Sequence, residues 1–502
     1  MKDKLTLLKQ QINEIYDIHY VLPLLDWDQQ TNMPSGGAGN RADQSATLSK
    51  IAHQRFTADS IGELLDDLSD YQAELPPESD DACLLKIIRR DYNKQVKVPV
   101  ELVEEFARIT ALGQQAWEMA REKDQFLLFQ PHLEQIVANR QRYAECFAPY
   151  DNIYDPLLDD YEPEMSAVAI KALFDELRPQ QVELVKAISE VGQVDNAFML
   201  RNYPEDKQWQ LGIEVIKQFG YDFACGRQDK AMHPFTTTLG LGDVRITTRI
   251  AEDDFFSGLG SSMHEAGHAM YEQGIDRRFD RTPLGSGTSL GIHESQSRLW
   301  ENMVGRSKAF CHYLYPKTIK LFPDALVGVN SDDFYRGINH VAPSLIRVEA
   351  DEATYNLHIM LRFEIELGLL NGEFAVADLP EIWNSKMVDY LGIMPASDRE
   401  GVLQDVHWSC GLFGYFPTYA IGNLVSAQLW EKIVYDIPQL ETEISRGEFS
   451  ELREWLRINI HCHGAKFTPQ ELVEKVTGSK ITAEPYINYL NNKYREVYGI
   501  RS

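Results

Sequence analysis

The chain has 502 residues, of which 44% are hydrophobic and 25% are charged, and its formal net charge is −27. A chain of this length can bury a substantial hydrophobic core. The excess of acidic side chains argues against nucleic acid as a partner, because phosphate groups are bound by clustered Lys and Arg.

The sequence carries no signal for a membrane segment or for an oxidising compartment. The first residues lack the apolar core of a signal peptide, and no apolar run is long enough to cross a membrane. The six cysteines are scattered, without a Cys-x-x-Cys pair or a disulfide framework. We therefore expect a cytoplasmic protein with no membrane partner and with free thiols.

Helical signals dominate the chain. Periodicity or capping residues predict helices over residues 5–20, 100–122, 166–191, 208–219, 353–370 and 469–476. The last of these begins with Thr468, Pro469 and Glu471, the pattern of a capping box with Pro at the first helical position. No repeat or Gly/Ser linker divides the chain, so we expect one unit over residues 1–502, with two helical lobes around a groove.

The clearest β signal covers residues 235–250. The segment is rich in Thr, Val and Ile, and a Gly-containing turn interrupts it, which predicts a β-hairpin. An exposed edge of such a hairpin could bind an extended peptide. Arg245 is then either a substrate-binding residue or a surface residue of a small structural sheet, and the sequence favours neither.

His264, Glu265 and His268 form the strongest chemical motif. Positions 264 and 268 are one helical turn apart, so both imidazoles can reach one metal ion. Glu265 lies off the metal axis, where a carboxylate can activate a water bound to the ion. The alternative is that the two histidines lie on an ordinary helix surface.

The residues around this motif predict a helix with a close neighbour. Asp253 and Asp254 supply capping groups, and the helical pattern ends near Gly274. Gly267 costs about 1 kcal/mol of helix propensity relative to Ala. Glycine is expected at this position if another segment passes close to the metal-binding face.

A catalytic zinc site needs a third protein ligand and one open position. A second helix is predicted to begin near His293, after a linker rich in Gly, Pro, Ser and Thr. Glu294 is the preferred third ligand and His293 the competing one. Glu301 is a candidate hydrogen-bond partner for a ligating histidine.

Arg347 is the best candidate for binding a substrate carboxylate, because a guanidinium group can donate two parallel hydrogen bonds to it. It belongs to a helical pattern over residues 346–370. The alternative is a solvated charged face formed by Arg347, Glu349 and Asp351. Asp351 is interpreted as structural, with a role in orienting the arginine.

An aromatic segment over residues 407–419 contains His407, Tyr415 and Tyr419. Any of the three could donate a hydrogen bond to the oxyanion of a peptide transition state. The alternative is that they are core residues. His461, Cys462 and His463 lack partners at ligand spacing, so a packing or surface role is favoured for them.

These motifs together resemble the carboxypeptidase Taq family of metallocarboxypeptidases. The family's signatures occur in order as HPF at 233–235, DVRIT at 243–247, HEAGH at 264–268, HESQ at 293–296, IRVEAD at 346–351 and GVLQDVHW at 401–408. The opening segment, with DWD at 26–28 and MP at 33–34, also resembles the start of the family. The resemblance therefore covers essentially the whole chain.

The resemblance implies His264, His268 and Glu294 as metal ligands and Glu265 as general base and later general acid. It also favours substrate binding for Arg347, and His233 joins the candidates as part of a signature. It further implies a mainly α fold of the gluzincin type with a deep substrate channel, and a homodimer.

The predicted function is a zinc-dependent carboxypeptidase with broad specificity that releases amino acids one at a time from peptides with a free C-terminus. One divalent ion is expected per chain, with cobalt or manganese as alternatives to zinc. The alternative functions are a zinc oligopeptidase or dipeptidase and a non-catalytic peptide-binding protein with a structural metal.

Overall fold

The computed structural model describes residues 1–500, and its architecture is mainly helical. The first half of this range contains helices α1 (Lys2–Thr31), α2 (Ala38–Phe56), α3 (Asp59–Asp67), α4 (Ser69–Glu74), α5 (Asp80–Lys97), α6 (Val100–Lys123), α7 (Gln130–Glu145), α8 (Asp155–Leu158), α9 (Ala167–Ser189) and α10 (Glu205–Phe219). The second half contains α11 (Phe255–Gly274), α12 (Leu290–Arg298), α13 (Lys308–Leu321), α14 (Ser331–Ile338), α15 (Tyr355–Asn371), α16 (Leu379–Leu391), α17 (Pro417–Asp436), α18 (Leu440–Arg446), α19 (Ser450–Asn459), α20 (Pro469–Thr477) and α21 (Glu484–Tyr498).

The six helical segments predicted above correspond to α1, α6, α9, α10, α15 and α20. The capping box of α20 is confirmed, because the Thr468 side chain accepts from the Glu471 amide and the Glu471 carboxylate accepts from the Thr468 amide. The helix predicted to begin at residue 346 is wrong over its first nine residues, since α15 begins at Tyr355. Asp351 explains this start, because its carboxylate accepts the Ala353 and Thr354 amides just before the helix.

A small sheet contains strands β1 (Gln228–Lys230), β2 (Thr236–Thr238) and β3 (Val244–Thr248) in the order β1-β3-β2. The antiparallel pair β2–β3 confirms the predicted hairpin, and its register pairs Thr237 with Arg245. Strand β1 pairs with β3 in parallel and was not predicted, because three residues without an apolar alternation carry no strand signal. The central strand β3 packs against α11, which places the sheet beside the metal motif.

Two hydrophobic clusters stabilise the fold, mainly through burial of apolar surface. The smaller one combines α1, α3 and α5 with Leu241 and with Ile275, Phe279 and Leu284, which follow α11. The larger one contains α11, α12, α15, α17 and α21. The mainly α class with a small sheet is confirmed, and the two lobes around a groove stay a prediction.

Two further predictions concern membrane-spanning helices and disulfide bonds. Among residues 1–500, we find no helix whose length and apolar character would allow it to cross a membrane. All six cysteines are free thiols, as the sequence predicted.

Candidate metal centre

Helix α11 carries the histidine motif in the predicted manner. The Asp254 side chain caps it by accepting the Phe256 and Ser257 amides, and the helix ends at Gly274. His264 and His268 lie on one face, and both direct Nε2 towards the carboxylate of Glu294 on α12. The sequence therefore located both the helix and the face that carries the two histidines.

Glycines allow the helices to approach closely enough for this arrangement. A Cβ atom at Gly267 would lie only 2.7 Å from the carbonyl oxygen of Gln296 and from the Cα atom of Ser297. On the other side of α12, a Cβ atom at Gly422 of α17 would lie 2.5 Å from Cγ of Glu294. The predicted close neighbour of Gly267 is thus α12, the helix that supplies the third member of the group.

The distances within this group suit one metal ion. His264 Nε2 and His268 Nε2 lie 3.6 and 3.3 Å from Glu294 Oε2, and one ligand atom from each residue lies within 4.8 Å of the others. Ligands at about 2.1 Å from a tetrahedral ion are about 3.4 Å apart. The donor set of two imidazoles and one carboxylate also fits a catalytic zinc site.

The alternative interpretations of these residues do not match the structure. The side chains of His264, His268 and Glu294 are only 19%, 14% and 8% exposed, so the histidines are not on an ordinary surface. His293 does not belong to the group, because its Nδ1 contacts His268 and its Nε2 contacts Glu272.

Charged neighbours hold the donors in place. His264 Nδ1 lies 2.9 Å from Glu301 Oε2, the partner that the sequence suggested, and Arg298 donates to both Glu294 and Glu301. Burial lowers the pKa of His264, but Glu294 and Glu301 outweigh this effect and raise the pKa to about 8. The position between the donors therefore favours a positive charge, as a metal site should.

Glu265 lies on the same helix, next to the edge strand β2. The Thr236 hydroxyl donates to Glu265 Oε2 at 2.6 Å and so fixes the orientation of the carboxylate. Burial raises the pKa of Glu265. A buried carboxylate with a raised pKa can both accept and return a proton, which general acid–base catalysis requires.

Arg347 differs from its predicted setting. It lies in a short 3-10 turn (Arg347–Glu349), and its side chain is 6% exposed, so the solvated-face alternative is wrong. Its guanidinium donates to Asp405 through Nε and Nη2 and to the Tyr355 hydroxyl through Nη1. Asp405 therefore orients the arginine, a role that the sequence interpretation gave to Asp351.

His407, Tyr415 and Tyr419 lie together. Their ring centroids are 5.4 to 6.2 Å apart, and His407 Nε2 is 3.3 Å from the Tyr419 hydroxyl. Tyr419 also packs against Arg347, whose guanidinium carbon lies 5.1 Å from the centroid of the Tyr419 ring. Both tyrosines are partly exposed, and burial raises the pKa of each, so their hydroxyls stay protonated at neutral pH.

The connection between this aromatic group and the metal centre runs through Tyr355. Its hydroxyl accepts from Arg347, and its ring lies 4.6 Å from the guanidinium of Arg298, which in turn donates to Glu294. Residues from sequence positions 294 to 419 are thus brought to one region.

Arg245 and His233 lie on the sheet side instead. Arg245 of β3 pairs with Asp243 through two hydrogen bonds and lies 4.4 Å from the Trp27 ring, whereas His233 is exposed just before β2. His461 has the predicted packing role, because it is buried and its Nε2 lies 2.9 Å from Gln296 Oε1.

Three residues near the centre were missed by the sequence reasoning. Glu272 is one helical turn beyond His268, and Arg298 is one turn beyond Glu294, so i,i+4 spacing could have suggested both. Thr236 carries no such signal, because its contact with Glu265 depends on how β2 packs against α11.

The chain is similar to known metallopeptidases over nearly its whole length. Residues 7–494 match the family described as carboxypeptidase Taq (M32) metallopeptidase. The chain is 43% identical over 486 residues to thermostable carboxypeptidase 1 of Thermus thermophilus, with 95% of each chain covered. It is 40% identical over 483 residues to carboxypeptidase 1 of Bacillus subtilis, with 96% of each chain covered.

Solved structures give the same result. The M32 carboxypeptidase from Deinococcus radiodurans R1 has a TM-score of 0.97 at 41% identity, with 99% of this chain and 100% of that chain covered. The Pyrococcus furiosus carboxypeptidase has a TM-score of 0.94 at 36% identity, with 98% and 99% covered. The chain therefore belongs to the carboxypeptidase Taq (M32) family and is a metal-dependent carboxypeptidase.

Proposed function

We propose that the divalent metal is zinc, held by His264, His268 and Glu294. The spacing of the three donor atoms and the preference of zinc for imidazole and carboxylate ligands support this assignment. When bound, zinc would polarise the scissile carbonyl and lower the pKa of a bound water towards about 7. Cobalt and manganese use the same donors, so metal analysis of the isolated protein and reconstitution after chelation are the tests.

Glu265 is proposed as the general base and later the general acid. Its carboxylate accepts the proton of the attacking water and then donates it to the leaving amine. The observation that carries this role is its position, one residue from a ligand and fixed by the Thr236 hydroxyl. Tyr415 or Tyr419 would donate a hydrogen bond to the oxyanion. His407 is the other candidate donor, and this role requires its proton on the ring nitrogen that faces the oxyanion.

The test of this mechanism is Glu265→Gln. We expect the variant to bind one metal per chain with nearly the parent affinity and to lose about 10²- to 10⁴-fold in kcat. Glu190→Gln, the same chemical change at an exposed position far along the chain, is the matched control and should keep full activity. Substantial turnover by the Glu265 variant would defeat the assignment.

The free C-terminus is proposed to be recognised by the charge cluster around Arg347. Arg347 and Arg362 surround the single carboxylate of Asp405, so the cluster carries an excess positive charge. It borders Tyr419, which lies on the same side of α17 as Gly422, the residue that contacts Glu294. A terminal carboxylate beside the metal would meet this positive charge, whereas Arg245 and His233 are proposed to contact the peptide from the sheet side.

Sequential release from the C-terminus is tested with one peptide in free and amidated forms, with and without added zinc or cobalt. Mass spectrometry should show a metal-dependent ladder from the free peptide alone. Internal cleavage of both forms would favour the oligopeptidase alternative, a two-residue product the dipeptidase alternative, and binding without cleavage the peptide-binding protein.

The domain organisation, specificity, oligomeric state and compartment of the protein are also proposed. A single catalytic unit over residues 1–502, broad side-chain specificity and a homodimer follow the family resemblance, and light scattering would test the oligomeric state. Cytoplasmic residence is supported by the six free thiols, which are typical of a reducing compartment.

A further inference from the structure

A buried polar chain lies behind the second histidine of the motif. His264, His268 and Glu272 occupy successive turns of α11, and the ring of His293 from α12 fits between the last two. His293 Nδ1 is 2.6 Å from His268 Nδ1, and His293 Nε2 is 2.8 Å from Glu272 Oε1. The side chains of His268, His293 and Glu272 thus form one continuous hydrogen-bonded path.

The direction of these hydrogen bonds follows from the metal-binding role proposed for His268. With its Nε2 lone pair towards Glu294 and the metal, a neutral His268 carries its proton on Nδ1. That proton is donated to His293 Nδ1, so His293 holds its own proton on Nε2 and donates it to Glu272. Each nitrogen of both rings then has one defined partner.

The surroundings hold this path rigidly. Glu272 is 5% exposed, and the Gly287 amide donates to the same oxygen that accepts from His293. A Cβ atom at Gly287 would lie 2.8 Å from Cδ2 of His293, so only glycine leaves room for the ring. The Tyr271 ring packs against His293 at 5.3 Å between centroids.

We propose that His293 and Glu272 are positioning residues that orient His268 and thereby strengthen metal binding. Hydrogen-bond partners of ligating histidines fix the ring and its tautomer, and their removal typically weakens metal affinity about 10- to 100-fold. The two ligands are supported differently: His264 contacts the carboxylate of Glu301 directly, whereas His268 reaches Glu272 through a second imidazole. This inference rests on the proposed ligand role of His268.

The experiment compares His293→Phe, His293→Gln and Gly287→Ala with the parent protein. Zinc affinity and release rate are measured by chelator competition, and the cobalt-substituted proteins are compared by absorption spectroscopy. His461→Phe is the matched control, since His461 is also buried and packs against Tyr271 at 5.2 Å but does not contact His268. His268→Ala tests the premise separately.

We expect His293→Phe to bind zinc about 10- to 100-fold more weakly, with an unchanged cobalt spectrum because no ligand is lost. His293→Gln, whose amide can both accept and donate, should recover part of the affinity, and Gly287→Ala should shift it in the same direction as the Phe variant. His461→Phe should keep the parent affinity.

Three results would overturn the inference. Parent-like zinc affinity in both His293→Phe and Gly287→Ala would show that the path does not position the ligand. A changed spectrum of the bound cobalt in His293→Phe would make His293 a ligand itself. Unchanged zinc binding in His268→Ala would instead remove the proposed function on which the inference depends.

Discussion

Replacing Gly267 by Ala tests how tightly the metal centre depends on the contact between α11 and α12. The new Cβ atom would lie 2.7 Å from two backbone atoms of α12, whereas ordinary contacts begin near 3.4 Å. Backbone atoms cannot rotate away as a side chain can, so the helices must separate by up to about 0.7 Å. Because α11 carries both histidines and α12 carries Glu294, this movement separates the donor atoms.

The magnitude follows from two opposing effects. Ala gains about 1 kcal/mol of helix propensity over Gly, while overpacking costs about 1–3 kcal/mol and often more against fixed backbone. The metal-free protein can relieve the clash by separating the helices, but metal binding requires the donors to return to within about 0.2 Å of their spacing. A cost of 1–3 kcal/mol in binding corresponds to roughly 5- to 150-fold weaker affinity.

The assay combines chelator competition for zinc affinity with thermal unfolding of the metal-free and metal-loaded proteins. Gly39→Ala on α2 is the matched control, because nothing lies within 4 Å of its new Cβ atom. The control should keep the parent affinity and melt at the same or a slightly higher temperature. A Gly267→Ala protein with parent affinity and a raised melting temperature would refute the steric argument.

Four further predictions follow from the described contacts. Burial raises the pKa of Glu162 from 4.5 to about 8, so the folded chain keeps a proton that the unfolded chain loses, and stability falls as pH rises through this range. Glu162→Gln stays neutral and should gain stability over the parent across that range, on the order of a few kcal/mol in denaturant unfolding, and parallel pH curves would contradict this. Arg347→Lys keeps the charge but loses the two-fold contact with Asp405, so KM for free C-termini should rise about tenfold while amidated peptides stay poor substrates; an unchanged KM would exclude the carboxylate role. Either Tyr415→Phe or Tyr419→Phe should lower kcat about 10²- to 10³-fold with little change in KM, and normal kcat in both would exclude a tyrosine donor. Chelation should lower the melting temperature, since a ligand at 100 times its Kd adds about 2.7 kcal/mol, and a melting temperature independent of zinc would argue against a tightly bound ion.

The features that the sequence predicted well depend on residues within one or two turns of each other. The Asp254 cap, the shared face of His264 and His268 and the capping box at Thr468 all follow from local spacing. The close contact at Gly267 was also predictable, because a costly residue inside a helix requires a steric reason.

Other features could not be predicted because they join distant parts of the chain. Spacing alone left Glu294 and His293 as competing ligands. Only the packing of α12 against α11 directs Glu294 towards Nε2 of both histidines, and His293 towards His268 Nδ1 and Glu272. Arg347 looked like part of a helix, but its partner Asp405 is supplied by a segment far along the chain. Local propensity acts over a few residues, whereas burial and ion pairing depend on which segments the packed core brings together, and only the tertiary structure decides that.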